Sequence, residues 1–487
     1  MARQGTEGGR AIPAIAPAEK VMRGDKQADF AYQAVYRYMI NLINEVGTEA
    51  RVKLPSLRHL AERLNVSIST IQYAYSLLEK EGRVYSVAKS GYYALPIAST
   101  TPCCTAGDLL ERLYVGARRP GMLVLSADEP AQLLSLDAPL LQLERELVRQ
   151  YPRQLQPYSQ PCGIWELRAA LAARYTHSPT RCWQADDVYI GADLRGVLAI
   201  LIEVLALRGA AVLVESPCDW LVLRLLQDAG VRVIEWPCDE QGRLDLGYLQ
   251  QHLRAEEVQL AVLSSTPGLG TGAPLSPADQ AQVAQLLEHA GCWVLENDIH
   301  GGLEFEAGSR YLRDLVNPER LMVFSSLEKV MGPEAPYGYL LSRHLSAQLQ
   351  RQFLLRAFRL SSIRQRAIAR LYHNGRFDQH LQQLRELLKG HADAMHGRLV
   401  QYLGERVTYR APQAGATYWL RATEAVDMRQ VFQNMLARQV VIAPGELFSV
   451  SGLYQQNFRL SHVASTHHSL DLVLEELAQA LKQGQHG

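Results

Sequence analysis

The chain has no surplus of charge of either sign: 50 Lys and Arg stand against 50 Asp and Glu over 487 residues. A whole-chain attraction to nucleic acid or to an anionic membrane is therefore excluded, and any such attraction must come from a local cluster. No apolar run approaches the roughly 20 residues that cross a bilayer. The first twenty residues also lack the apolar core of a secretory leader, so a cytoplasmic protein without a membrane partner is expected. The seven cysteines show no CxxC pair and no regular spacing, and Cys103 and Cys104 are adjacent. Reduced thiols follow, not a disulfide framework. STHHSL at 465–470 reads as polar surface at a helix start, because no third ligand lies at suitable spacing, and no metal site is expected.

What is present is an apolar content of 47%, in a chain long enough for two or three domains with their own cores. The first stretch, 1–20, with GTEGG and two prolines, reads as a flexible arm. Residues 53–95 then read KLPSLRHLAERLNVSISTIQYAYSLLEKEGRVYSVAKSGYYAL. Pro55 pins the chain and Ser56 caps a helix whose Leu57, Leu60, Ala61 and Leu64 recur at helical spacing. Asn65 and Val66 turn, and Ser67 caps a second helix with Ile68, Ile71, Ala74, Tyr75 and Leu78 as its buried stripe. Ser69, Thr70, Gln72, Tyr73 and Ser76 face out. Small hydroxyl and amide groups near the start of a second helix suit phosphates and base edges in a major groove.

Gly82 ends that helix, and RVYSVAKSGYYAL alternates and turns at Lys89, Ser90 and Gly91 as a wing would. The pattern predicts a winged helix-turn-helix over 21–96, with Lys53, Ser56, Arg58, Ser67, Ser69, Thr70, Gln72, Tyr73, Lys89 and Ser90 toward duplex DNA. Charge agrees: residues 20–95 hold eleven Lys or Arg against seven Asp or Glu, a local surplus of four on a neutral chain. PIASTTPCCTAGD at 96–108 has no periodicity, and a linker over 97–117 is expected.

Beyond it, short apolar runs alternate with helical patterns. VYIG (188–191), AAVLVE (210–215), VRVIEW (231–236), VQLAVLSS (258–265), CWVLEN (292–297), LMVFSS (321–326) and YGYLLS (337–342) read as strands, with LRGVLAILIEVLALR and PADQAQVAQLLEHA among the helices between them. Runs apolar on both faces and separated by helices predict an α/β domain, 118–345, with a mainly parallel sheet covered on both sides. After 345 the pattern turns helical and ends in the strand-like VTYRAPQAGATYWL and NFRLSH. A small C-terminal α+β subdomain, 346–487, is expected.

Residues 53–95 resemble the DNA-binding domain of GntR-type bacterial regulators, similar to LPSxRxLAxxLxVSxxTVxxAYxxLExEG followed by SGxYV. From about 120 to 485 the order of pieces is similar to fold type I pyridoxal-phosphate enzymes of the aspartate aminotransferase group. YSQPCGIWELRAALAARY, VYIGADLRGVLAI, LVESPCDW, LENDIHGGLEF, SSLEKVMGPEAPYGYL, APGELFS and FRLS carry that likeness. The whole chain resembles the MocR subfamily of GntR regulators.

That resemblance implies a homodimer, a small-molecule effector and pyridoxal phosphate as cofactor. It places the imine lysine at Lys329, three residues after Ser326, poised by a burial that lowers its pKa, and the phosphate cup at Gly191 and Ala192. Asn297 and His300 fall at the ring, and Arg459 at a substrate carboxylate. The sequence departs from the family pattern in several places. Asn297 stands for the ring-nitrogen aspartate, His300 for a tyrosine, and Asp219, with Trp220 beside it, for the stacking aromatic. Pro336 stands for the phosphate arginine seven residues after the lysine. TPGLGTGAPLS is about two residues short and offers only Thr271 near the expected asparagine. On a strand, Asp298 would point to the opposite face from Asn297.

A domain that must stabilise a carbanion cannot easily lose the anion at the ring nitrogen, so a regulator without transaminase turnover is expected. Three readings stay open. In one the pocket binds the cofactor weakly or another anion, and in the second it is empty and only dimerises the DNA-binding heads. The third is an active aminotransferase carrying an accessory DNA-binding domain.

Overall fold

The computed structural model describes residues 35–36, 38–39, 53–64, 66–80, 84–87, 91–94, 108–151, 160–306, 311–356, 358–464 and 470–484. They fall into two compact units, divided between Gly107 and Asp108.

In the first unit, a helix Leu57–Leu64 and a helix Ile68–Lys80 precede a hairpin of β1 (Val84–Val87) and β2 (Gly91–Ala94). Lys53 bridges to Tyr93, adding a short third rung. Both helix starts are capped as their sequence predicts. Ser56 Oγ accepts from His59 N at 3.3 Å, and Ser67 Oγ accepts from Thr70 N at 3.1 Å. Leu60, Ile71, Ala74, Tyr75 and Leu78 close a core with Val35 and Met39 from an earlier helical stretch. Tyr75 ties it together by donating to Pro55 O at 2.6 Å and packing on Tyr92 at 4.3 Å. Ile68 departs from the expected stripe and is 47% exposed. It is the first residue of the helix, and the core of this unit closes without it. Lys89 and Ser90, at the expected wing tip, lie outside the described residues.

The second unit opens with a helix, Leu109–Ala117, where a linker was expected to continue. Asp108 caps it, and Leu109, Leu113 and Gly116 bury one face, so an amphipathic stripe overrides the loop-like composition just before it. A short β3 (Leu123–Val124) follows. The central sheet is built from β4 (Val188–Ile190), β5 (Ala211–Ser216), β6 (Arg232–Pro237), β7 (Val258–Ser264), β8 (Trp293–Asn297), β9 (Leu321–Ser326) and β10 (Gly338–Ser342), in the order β4-β10-β9-β8-β7-β5-β6. Neighbours pair in parallel except at β10, which runs against both β4 and β9. Helices Leu194–Val204, Trp220–Asp228, Leu246–Ala255 and Pro277–Ala290 make the crossovers that parallel pairing needs.

Alternate residues feed two cores. Ile190, Leu213, Ala261, Leu263, Val294 and Val323 face one layer, while Val212, Val214, Leu260, Val262, Leu295 and Phe324 face the other. The small subdomain carries β11 (Val407–Tyr409), β12 (Thr417–Ala422), β13 (Val440–Val441), β14 (Ala443–Pro444) and β15 (Asn457–Ser461). Four of these form an antiparallel sheet, β11-β12-β15-β14, and β13 pairs in parallel with β3. The expected division at 345 differs from the packing. The core of the small subdomain takes in Leu109–Leu125 from the front of the unit, while the core of the large one reaches Leu388 on helix Arg376–Tyr402. Among the described residues no helix is long and apolar enough to cross a membrane.

Candidate functional site

On the first unit, the outward face of helix Ile68–Lys80 presents Ser69, Gln72 and Tyr73, all exposed, with Thr70 half-buried. Three hydroxyls form a tight knot at its start: Ser67 Oγ lies 2.8 Å from Ser69 Oγ and 2.7 Å from Thr70 Oγ1. Lys53 and Arg58 are exposed on the preceding segment and helix. Glu79 Oε1 accepts from Ser86 N and Ser86 Oγ, at 3.2 and 2.8 Å, which locks β1 to the same helix. The edge is thus rigidly held and polar.

In the second unit, the carboxyl ends of β8 and β9 deliver Asn297, His300 and Lys329 to one end of the sheet, the usual place for a ligand crevice in such folds. Lys329 Nζ donates to Asp128 O and to Glu129 Oε1, the latter at 3.2 Å. His300 Nε2 lies 2.6 Å from Asp128 Oδ2. A cavity of ≈ 90 Å³ opens beside them, lined in part by Asp128, Thr266, Asn297, His300 and Thr417.

The electrostatics differ from the expected lowered lysine pKa. Burial does push the Lys329 amine toward neutrality, but Asp128, Glu129 and Asp219 outweigh it, so the group is held above its ordinary value as an ammonium. Burial likewise opposes ionisation of Asp128, yet His300, Lys329 and Arg459 together hold its carboxyl well below the usual range. His300 is pushed up, because Asp128 overcomes the cost of its burial.

The remaining expected site residues are placed as follows. Gly191 N donates to Gly338 O at 2.8 Å, and the next helix start is capped by Asp193, whose Oδ1 accepts from Gly196 N at 2.7 Å. Of the expected phosphate cup at Gly191 and Ala192, the Gly191 amide is therefore already engaged, as is the Gly196 amide further into the helix. Asn297 Oδ1 accepts from Ile299 N at 3.2 Å. Asp219 caps helix Trp220–Asp228 through Leu221 N at 2.8 Å. Ser326 Oγ accepts from Glu328 N at 3.3 Å and lines a different cavity, behind the strand ends. Thr271 is buried, with its hydroxyl 2.7 Å from Gly242 O, and does not line the cavity beside His300.

Arg459, on β15, is 9% exposed. Its guanidinium lies between Trp220 and Phe448, 4.7 and 4.6 Å from the ring centroids, and Nη2 donates to Ser126 O at 3.0 Å. Its Nε has no partner among the described residues. Trp220, the neighbour of Asp219, is one of the two rings that hold this arginine.

Sequence reasoning also missed the network behind the site. Asp298 does face away from Asn297, as alternation requires. It accepts from Tyr175 OH at 2.5 Å, from Ser265 Oγ, and from Arg313 Nη1 at 2.9 Å. Arg313 also pairs with Glu296, which is fully buried.

Known proteins agree with this architecture. The model of the bacterial regulatory proteins of the gntR family matches residues 31–93, and that of the aminotransferase class I and II family matches 121–477. The chain is 26% identical over 437 residues to the uncharacterized HTH-type transcriptional regulator YdcR of Escherichia coli (strain K12), covering 84% of this chain and 90% of that protein. It is 24% identical over 443 residues to YjiR of the same strain, an uncharacterized HTH-type transcriptional regulator, covering 88% and 94%. Its fold matches the multiple substrate aminotransferase of Thermococcus profundus with a TM-score of 0.68 at 18% identity, over 79% of this chain and 96% of that one. The chain belongs to the aminotransferase class I and II family, whose cofactor is pyridoxal phosphate, and joins that domain to a gntR-family helix-turn-helix in the arrangement of MocR-type transcription regulators.

Proposed function

We propose that the chain reads an operator sequence in duplex DNA through helix Ile68–Lys80, and that its second unit serves as a dimerising, effector-sensing body without transaminase turnover. The observation that carries this is the exposed edge of Ser69, Gln72 and Tyr73, set on a capped helix whose opposite face is fully committed to a core. Hydroxyls and an amide on that exposed edge are the groups that contact phosphate oxygens and base edges.

Support for a body without turnover comes from the chemistry of the pocket. Pyridoxal phosphate asks for a neutral amine, an anion against the ring nitrogen and a cation or free amides at the phosphate. Here Lys329 is an ammonium among Asp128, Glu129 and Asp219, Asn297 carries no charge, and Asp193 places a carboxylate at the start of the phosphate-cup helix. These residues do not fit the cofactor as the family holds it. Arg459 supports an anionic effector instead. It is buried, stacked between two rings, and has no carboxylate within ion-pair distance among the described residues. Leu141, Val148, Tyr151 and Trp165 are exposed on or beside helices that pack against Ser362–His373, and they support a dimer face. Effector binding regulates the heads to the extent that it favours one arrangement of the body over another.

Genome-wide footprinting of the full chain tests the reading, because bound sites give the operator and neighbouring genes suggest the effector. Protein that ignores duplex DNA at low salt sinks it. For the body, added pyridoxal phosphate is expected to give no imine absorbance that Lys329→Ala removes. Robust half-reactions with common amino acids overturn the absence of turnover.

A further inference from the structure

A second cavity, of ≈ 180 Å³, lies behind the strand ends on the side of the sheet that Asp298 faces. Its wall is shared with the cavity beside His300, since Gly301 lines both. It differs from that pocket in charge. Arg174, Arg313 and Arg385 line it, with Asp298 as the lone lining carboxylate, and Asp298 is spent on Arg313 and Tyr175.

The other two guanidinium groups are poorly compensated. Arg174 meets Asp378 at 3.1 Å, but that carboxylate is 70% exposed, so the pair is weak. Arg385 donates to Gly302 O, and among the described residues no carboxylate lies within ion-pair distance of it. Both converge on one point. A Cβ at Gly302 would stand 3.3 Å from Arg174 Nη2 and 3.5 Å from Arg385 Nη2. Glycine there, at φ +80°, puts no side chain between the two heads, while Arg174 also lies over the Phe377 ring at 4.7 Å, another wall of the cavity. Deeper in, Tyr175 OH and Tyr339 OH stand 3.0 Å apart. The Nε of Arg313, a side chain 7% exposed, has no partner among the described residues.

Two like charges brought together beside a buried polar hollow are unfavourable unless an anion joins them. Arginine forks match planar carboxylates two bonds at a time. The volume exceeds that of a cavity of about 150 Å³ known to admit a benzene-sized guest. We propose that this cavity is a seat for a small dicarboxylate, gripped by Arg174 and Arg385 and separate from the cavity beside His300 and from Arg459. Its occupant bears on the turn Asp298–Gly302, which carries His300 on its other side. The seat does not depend on whether the chain binds DNA.

Calorimetric titration of the full chain with succinate tests it, with inorganic phosphate and acetate as parallel arms at fixed ionic strength. Succinate is expected to bind and to raise the melting temperature. Arg385→Gln and Arg174→Gln should each weaken it by at least about tenfold, while Arg459→Gln keeps it. The proposal is overturned by an absence of succinate heat, by binding of phosphate or acetate as tight as that of succinate, by loss of binding in Arg459→Gln, or by wild-type affinity in a folded Arg385→Gln. Should Arg385→Gln fail to fold, judged by circular dichroism, Arg174→Gln decides by the same criterion.

Discussion

Replacing Arg313 by leucine removes the cation shared by Glu296 and Asp298, with consequences that can be worked through. Both carboxylates are buried, and Arg313 itself is almost fully enclosed. Taking away one side of a buried ion pair costs about 3–5 kcal/mol, because the remaining charge has lost its solvent as well as its partner. A ceiling comes from protonation. A stranded carboxylate can take up a proton instead, at about 1.4 kcal/mol for each pH unit above an ordinary value near 4, or about 5 kcal/mol at pH 7.5 and about 2 kcal/mol at pH 5.5. The sign follows, since a folded state that binds more protons than the unfolded one loses stability as pH rises. Glu296 adds little to the difference, because burial already pushes it up to about 7 with Arg313 in place. Arg313→Leu should therefore lose about 3–5 kcal/mol at pH 7.5 and about 1–3 kcal/mol less than that at pH 5.5. Urea unfolding followed by tryptophan fluorescence measures it cleanly. All six tryptophans, at 165, 183, 220, 236, 293 and 419, belong to the second unit, so the head is silent. A loss below about 1 kcal/mol, or an equal loss at both pH values, refutes the reasoning.

Three further outcomes are expected. Ser67→Ala removes the cap of the DNA-reading helix and should cost about 0.5–2 kcal/mol, visible in far-ultraviolet circular dichroism of the head while tryptophan fluorescence is unchanged. Gln72→Ala should leave melting unaltered, because the side chain is exposed, but reduce operator affinity by about 1–3 kcal/mol in a gel-shift titration; unchanged affinity takes Gln72 off the reading edge. His300 has a pKa raised by Asp128, so its contribution is complete below its unfolded value and fades as pH rises through the folded one. His300→Gln should accordingly destabilise the second unit more at pH 5.5 than at pH 9, and a loss independent of pH speaks against the pair.

Much of this architecture was legible in the sequence because its cues are local. Seven apolar runs became seven strands, with ends shifted by a residue at most in several cases, since a strand covered on both faces needs an unbroken apolar stretch. Helix Pro277–Ala290 has Ser276 as its cap, proline at its first position and Gly291 at its end, so its limits could be read directly. What escaped has no local cue. The stripe of helix Leu109–Ala117 finds its partners at Leu436 and Val441, more than three hundred residues on. Asp128 and His300 are 172 residues apart, and Tyr175 meets Asp298 across 123. No periodicity connects such pairs.

The departures at 219, 297, 300 and 336 read in the sequence as losses, each of which a family member could absorb. The structure places gains beside them. Asp193 sits where the motif likeness gave only a Gly-Ala turn, and its carboxylate satisfies an amide of the helix start that would otherwise favour an incoming anion. Asp219 caps the next crossover helix and acts on both Lys329 and His300. Asp128, from a loop far earlier in the chain, fixes Lys329 and His300 at once. Any one of these is an ordinary cap or ion pair. Together they supply, from the chain itself, negative charge beside Lys329 and His300, which favours the proposal of a body without transaminase turnover. Arg459 keeps a buried Nε without a partner among the described residues, and unlike Arg313 it has no carboxylate paired with it there. On that proposal the seat for an anion is the arginine between Trp220 and Phe448, an arrangement that suits recognition of a carboxylate better than chemistry upon it.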